Sequence, residues 1–136
     1  MTSKACEARV RIHNATDIMD ARQQGRAVAS QGGFSTSDLT IIATAISEIA
    51  RNILEFADEG EVTITLLNSP HRKGIEIVAA DQGPGIGDVS LVMRDGYSTG
   101  HGLGIGLPGA KRLMDEFEIA SEPGKGTTVT MKKWVT

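Results

Sequence analysis

One cysteine stands among the 136 residues, Cys6, which excludes an internal disulfide framework and a cysteine-built zinc site. Aromatic residues are only 4% of the chain. No apolar run approaches the roughly 20 residues that a membrane-spanning helix needs. The opening Met1-Thr-Ser-Lys-Ala-Cys-Glu-Ala-Arg9 lacks the apolar stretch of a secretory signal. Positive charge is not in excess: fourteen Lys+Arg face seventeen Asp+Glu, a formal −3, which argues against a nucleic-acid surface. Linkers, low-complexity tracts and internal repeats are also missing. These absences predict a soluble, cytoplasmic protein with no nucleic-acid partner and no membrane span. With 40% hydrophobic and 23% charged residues the composition is that of a globular protein. At roughly 100–200 residues per domain, residues 1–136 read as one domain. What the chain does have is glycine, sixteen of them, and they are clustered.

The hydropathy pattern gives the order β-α-α-β-β-α-β-β. Val10 and Ile12 alternate with Arg9, Arg11 and His13, predicting a strand near 8–13. A helix capped by Asn14 or Thr16 runs to 30, with Ile18, Ala21, Gly25 and Val28 along one side. A second helix covers 37–57, where Ile42, Ile46, Ile49, Ile53 and Phe56 recur at steps of four and three, one buried face. Strands follow at 62–66 and 75–80, the second more apolar and so more central. The stretch 81–104 is loop-like and rich in glycine, and a loop that long in a compact domain is usually functional. A third helix starts at 104–108 and runs to Phe117, with Leu107, Ala110, Leu113, Met114 and Phe117 inward and Pro108 in its first turn. Ile119 and residues 127–134 form a closing hairpin across 122–126. Because helices and strands do not alternate as βαβ units, the expected fold is an α/β (α+β) two-layer sandwich. Its sheet is mixed and mostly antiparallel, with the helices on one face.

Four groups of residues carry chemistry. On the second helix Glu48 and Asn52 are one turn apart, on the flank of the apolar stripe. An asparagine oxygen suits a hard cation, and a glutamate suits a general base; the plainer alternative is a solvated flank with an Arg51–Glu55 pair. In Asp81-Gln-Gly-Pro-Gly-Ile-Gly87, including Gly83, Gly85 and Ile86, an acid follows an apolar strand and meets bare backbone. A buried carboxylate needs hydrogen bonds, which a purine amine would supply; Asp-Gly turn chemistry is the alternative. Gly100-His-Gly-Leu-Gly-Ile-Gly-Leu107 places glycine at alternate positions before a helix N-terminus, a ready anion site. It holds no Gly-Lys-Ser/Thr, so it is not a Walker A loop, and Pro108 inside Gly104-Ile-Gly-Leu-Pro-Gly109 speaks against a dinucleotide fingerprint. Last, Gly124-Lys-Gly-Thr-Thr128 enters the final strand, and by itself it is also a hairpin turn.

In this order and spacing the four groups resemble the gyrase–Hsp90–histidine kinase–MutL superfamily and its Bergerat ATP-binding fold. The resemblance implies ATP and Mg2+ as cofactors and a role for each matching residue. Asn52 matches the magnesium-binding asparagine, and Glu48 the catalytic base. Asp81 matches the acid that bonds the adenine amino group, with Gly83, Gly85 and Ile86 beside the base. Gly102, Leu103, Gly104, Ile105 and Gly106 match the glycine box at the phosphates. Thr127 matches the threonine of the adenine-side network.

The chain is short for a topoisomerase, Hsp90 or MutL protein, and His13, His71 and His101 fall at strand, turn and loop positions, unlike a phosphoacceptor helix. It is most similar to the small anti-sigma-type serine/threonine kinases, and within them to the stressosome switch kinases. Asp20-Ala-Arg-Gln23, Thr44-Ala-Ile-Ser-Glu-Ile-Ala-Arg-Asn-Ile53, Asp95-Gly-Tyr-Ser-Thr99 and Gly106-Leu-Pro-Gly-Ala-Lys-Arg-Leu-Met-Asp-Glu-Phe117 carry that similarity, along with the Asp81 motif. It implies a kinase that phosphorylates STAS-domain scaffold and antagonist proteins and, once released, binds and activates a PP2C-type phosphatase. The acceptor is then expected on another chain. Two other readings stay open: an anti-sigma factor that sequesters a sigma factor, and a nucleotide-sensing module without transfer.

Overall fold

A computed structural model describes residues 3–85, 93 and 106–136. Ile86 and the glycine-box residues Gly102, Leu103, Gly104 and Ile105 lie outside the described residues, as does His101. The elements are β1 (Ser3–Ile12), α1 (Ala15–Ser30), α2 (Thr36–Ala57), β2 (Gly60–Asn68), β3 (Lys73–Asp81), α3 (Gly106–Leu113), β4 (Glu116–Glu122) and β5 (Gly126–Trp134). Among the described residues the order is the expected one.

The strands form one sheet in the order β1-β2-β3-β5-β4, and every pairing among them is antiparallel. Alternation decides which face is covered. Val10, Val62, Ala79, Val129 and Ile119 stand in one cross-strand row. Ile64, Ile77, Met131 and Phe117 form the next. The central members of these rows pack into one core with the helices. Fully burying an aliphatic side chain contributes about 1.5–3 kcal/mol, and α2 brings Ile42, Ile46, Ile49 and Ile53, all at most 1% exposed.

The helices start where side chains satisfy their free N–H groups. Asn14, of the two candidates, caps α1 and forms a capping box with Asp17. Ser35 caps α2 by accepting from the Asp38 N–H. Gly25 lets α1 lie against α2, because a side chain there would collide with Ile46.

Three boundaries differ from expectation. β1 begins at Ser3, earlier than the alternation at 8–13 suggested. The third helix stops at Leu113, and Phe117 belongs to β4. Phe117 and Ile119 alternate with Glu116 and Glu118, a strand period that competes with the helical one. Tertiary bonds decide it: the Asp115 N–H donates to the Lys132 carbonyl (2.9 Å), and the Trp134 N–H donates to Asp115 Oδ2 (2.7 Å). His13 likewise follows β1 rather than ending it.

On the sheet face away from the helices, Trp134 lies against Gly74. Its Nε1 donates to Glu116 (2.6 Å), and the Arg72 guanidinium stands 3.6 Å over its ring.

Candidate functional site

The end of β3, the start of β5, the start of α3 and the second half of α2 meet on the helical side. Asp81 closes β3 and is buried, 5% exposed. Its Oδ1 accepts two backbone N–H groups, from Gly83 (3.0 Å) and from Thr127 (3.2 Å). Among the described residues no bond ends on Oδ2. A buried carboxylate is thus held by backbone on one oxygen, and among the described residues nothing occupies the other.

Around it the backbone is drawn tight. Gly85 has φ +79° and Gly126 has φ +88°, a region that side chains rarely enter. A side chain at Gly85 would collide with the Glu122 carbonyl, and one at Gly126 with the Asp81 carbonyl. The Gly124 N–H donates to the Pro84 carbonyl (2.7 Å), tying the Gly-Pro-Gly loop to the β4–β5 turn. The Asp81 and Gly124 motifs, far apart in sequence, are therefore in direct contact. Gly126→Ala combines a disfavoured φ with a backbone clash, and the expected cost is about 3 kcal/mol. For a chain of this size that lowers the melting midpoint by about 10 °C, and thermal unfolding followed by circular dichroism measures it.

Thr127 is 3% exposed, and its hydroxyl pairs with that of Ser121 (2.8 Å), which also donates to the Gly126 carbonyl (3.2 Å). No motif in the sequence marks Ser121. Counting back across the hairpin, where Ser121 faces Thr127, would have found it.

The second half of the site is on α2. Glu48 and Asn52 are 6% and 7% exposed, so this is no solvated flank. Glu48 Oε1 accepts from the Gly106 N–H at the first residue of α3 (3.0 Å). A carboxylate at a helix N-terminus is favoured by the free N–H groups and the dipole. Oε2 accepts from Arg51. Arg51 therefore turns to Glu48, not to Glu55 as in the plainer alternative: the buried carboxylate has the greater need of a cation.

No hydrogen bond ends on the Asn52 amide among the described residues. Nor do the described residues hold a group of three His, Cys, Asp or Glu able to bind a metal by themselves. Magnesium that arrives with phosphates needs less, one or two oxygen ligands beside phosphate and water. The Asn52 amide oxygen, one turn from a buried carboxylate, fits that requirement. Thus Glu48, Asn52 and Gly106 come together at one end, and Asp81, Gly83, Gly85 and Thr127 at the other. No helix among the described residues is long and apolar enough to cross a membrane.

Comparison with known proteins identifies the family. Residues 13–133 match the histidine kinase-like ATPase domain. The chain is 50% identical over 135 residues to the serine/threonine-protein kinase RsbT of Bacillus subtilis, covering 99% of both chains. It is 33% identical over 121 residues to an anti-sigma F factor of a Thermoanaerobacter species, covering 85% of this chain and 83% of the relative. A crystal structure of RsbU and RsbW domains from Mycobacterium tuberculosis superposes with a TM-score of 0.65 at 21% identity. It covers 95% of this chain, which spans 32% of that longer one, and it supports the fold alone. With the ATPase domain matched over most of its length and a kinase matched end to end, the chain belongs to the histidine kinase-like ATPase family as a serine/threonine-protein kinase of the RsbT kind.

Proposed function

We propose that this kinase is ATP- and magnesium-dependent, phosphorylates STAS-domain scaffold and antagonist proteins of a stressosome and, when released, binds and activates a PP2C-type phosphatase. The observation that carries the chemical part is the Gly106–Glu48 bond, which puts a buried carboxylate at the start of the helix that the glycine-rich stretch enters. Kinase chemistry is mostly positioning and electrostatics. Asp81 Oδ2 accepts from the adenine amine, while Gly83, Gly85, Ile86 and Thr127 border the base. Gly102, Leu103, Gly104, Ile105 and Gly106 lie along the phosphates. Asn52 holds the magnesium ion, which when bound neutralises charge on the phosphate oxygens. Glu48 takes the proton of the incoming serine or threonine hydroxyl.

Residues 1–136 act as one cytoplasmic kinase domain in this reading, with no nucleic-acid partner. Both protein partners would dock on a small surface, the exposed sides of α1 and α3 around Arg22 and Arg112, and a standard interface takes about 800 Å² from each side. They then compete. Phosphorylating the scaffold adds about −1.5 to −2 charges opposite a kinase of formal charge −3, which favours release.

Two measurements test the proposal. Asn52→Ala is expected to lower magnesium-dependent ATP affinity about tenfold, the loss of one ligand interaction of about 1.4 kcal/mol, with the fold intact by circular dichroism. Unchanged affinity removes Asn52 from the metal site. In competition binding, phosphorylated scaffold is expected to be displaced by phosphatase more readily than unphosphorylated scaffold; equal displacement removes the switch. The 33% identity to anti-sigma F factors favours the second reading, a sigma-sequestering module with kinase activity toward an anti-anti-sigma factor. Parallel pull-downs with a sigma factor and a STAS protein separate the two.

A further inference from the structure

We propose that Arg51 is a positioning residue of the phosphoryl transfer, acting through Glu48; the inference rests on the reading of Glu48 as the base. Arg51 lies three residues after Glu48 on α2, and the i,i+3 spacing brings the two side chains to the same side. The burial of the pair is unequal. The Glu48 side chain is 5% exposed and that of Arg51 38%, so the carboxylate is inside and the guanidinium reaches it from the rim.

Each carboxylate oxygen has its own anchor. Oε1 is held by the backbone of α3 through Gly106, and Oε2 by Arg51 of α2. Either bond alone leaves the carboxylate free to turn about its last torsion, which is a broad, soft rotation. Both together fix its plane. Each oxygen also has a second lone pair, so a doubly anchored carboxylate can still receive a hydroxyl proton.

In the step itself the acceptor hydroxyl loses its proton to Glu48 as its oxygen bonds to the γ-phosphorus. The bond from that phosphorus to the β–γ bridging oxygen breaks, and ADP leaves with the electron pair. Protonated Glu48 no longer balances the Arg51 charge, and the ion pair re-forms when the proton passes to water. Arg51 touches neither nucleotide nor acceptor in this scheme. Glu48 is its one hydrogen-bond partner among the described residues.

The test uses the full chain, radiolabelled ATP and a purified STAS-domain antagonist as acceptor, with Arg51→Ala, Arg51→Lys, Glu48→Gln and the double variant Glu48→Gln/Arg51→Ala. Misplacing a catalytic group by about 1 Å costs about 10²-fold, so kcat of Arg51→Ala is expected to fall about that much. Its KM for ATP is expected to stay within about threefold of the parent value. Lysine restores the charge without the planar fork, and Arg51→Lys is expected to recover to within about tenfold. The double variant is expected to be no slower than Glu48→Gln alone, because Arg51 acts only through Glu48.

A parent-like kcat in Arg51→Ala overturns the inference. So does a raised KM with unchanged kcat, which makes Arg51 a phosphate ligand, or losses that multiply in the double variant. If Glu48→Gln transfers at the parent rate, the base reading falls and the role of Arg51 falls with it. If Glu48→Gln is inactive and Arg51→Ala fully active, only the role of Arg51 is lost. Circular dichroism checks folding, and Arg51→Gln, which keeps most of the side-chain packing, replaces the alanine variant if that one does not fold.

Discussion

Glu48→Gln is expected to lower phosphoryl transfer by about 10²–10⁴-fold, the usual share of a general base, while ATP still binds. The amide keeps the size and shape of the side chain. Its oxygen can go on accepting from the Gly106 N–H, so the link between α2 and α3 survives. What is lost is the proton acceptor, together with the negative charge that faces Arg51. Because the Arg51 side chain is 38% exposed, water replaces part of that partner and the fold is spared. The measurement is single-turnover transfer of labelled phosphate, with nucleotide affinity measured separately. Transfer within a few-fold of the parent enzyme makes Glu48 a structural cap of α3 and nothing more.

Asp81→Asn should weaken ATP and ADP alike, by about 10²-fold, two tenfold steps of 1.4 kcal/mol each. The reasoning starts from the two oxygens. Oδ1 serves the Gly83 and Thr127 N–H groups, and an asparagine oxygen can serve them equally well. The amide nitrogen must then occupy the Oδ2 position and turn a donor toward the purine amine, which is also a donor. A buried pair of facing donors costs about 1–3 kcal/mol beyond the bond that is lost. The base is common to both nucleotides, so their affinities fall together. Isothermal titration with each nucleotide decides it: a loss confined to ATP moves Asp81 to the phosphate end and overturns the assignment.

The parts of this molecule that were legible in the sequence are those set by local periodicity. Ile42, Ile46, Ile49 and Ile53 predict α2 and its buried face because nothing competes with a helical period there. Leu113, Met114 and Phe117 also fit a helix, but Phe117 and Ile119 fit a strand, and the choice is made by the Asp115 bond to Lys132, seventeen residues away. The meeting of Asp81 with Thr127 depends on β3 pairing with β5 and not with β4, a strand order no local pattern states. The motifs still marked both residues, because their resemblance to known nucleotide sites carries the pairing implicitly. The partner of Arg51 is not legible for a different reason. Its spacing to Glu48 and to Glu55 is equally suitable for a pair, and only burial, a property of the folded chain, favours Glu48.

The aromatic scarcity of the chain gives its folded form an optical consequence. Trp134 is its single tryptophan, and it rests on Gly74 under the Arg72 guanidinium, at the far end of β5 from Thr127. Seven strand residues at about 3.3 Å each put the indole about 23 Å from Thr127. Its emission therefore reports whether β3, β4 and β5 are zipped together, without a contribution from direct contact with nucleotide. A variant of Asp81, Glu48 or Asn52 that keeps the parent emission spectrum has lost chemistry and not the sheet, and the two losses can be read from one cuvette.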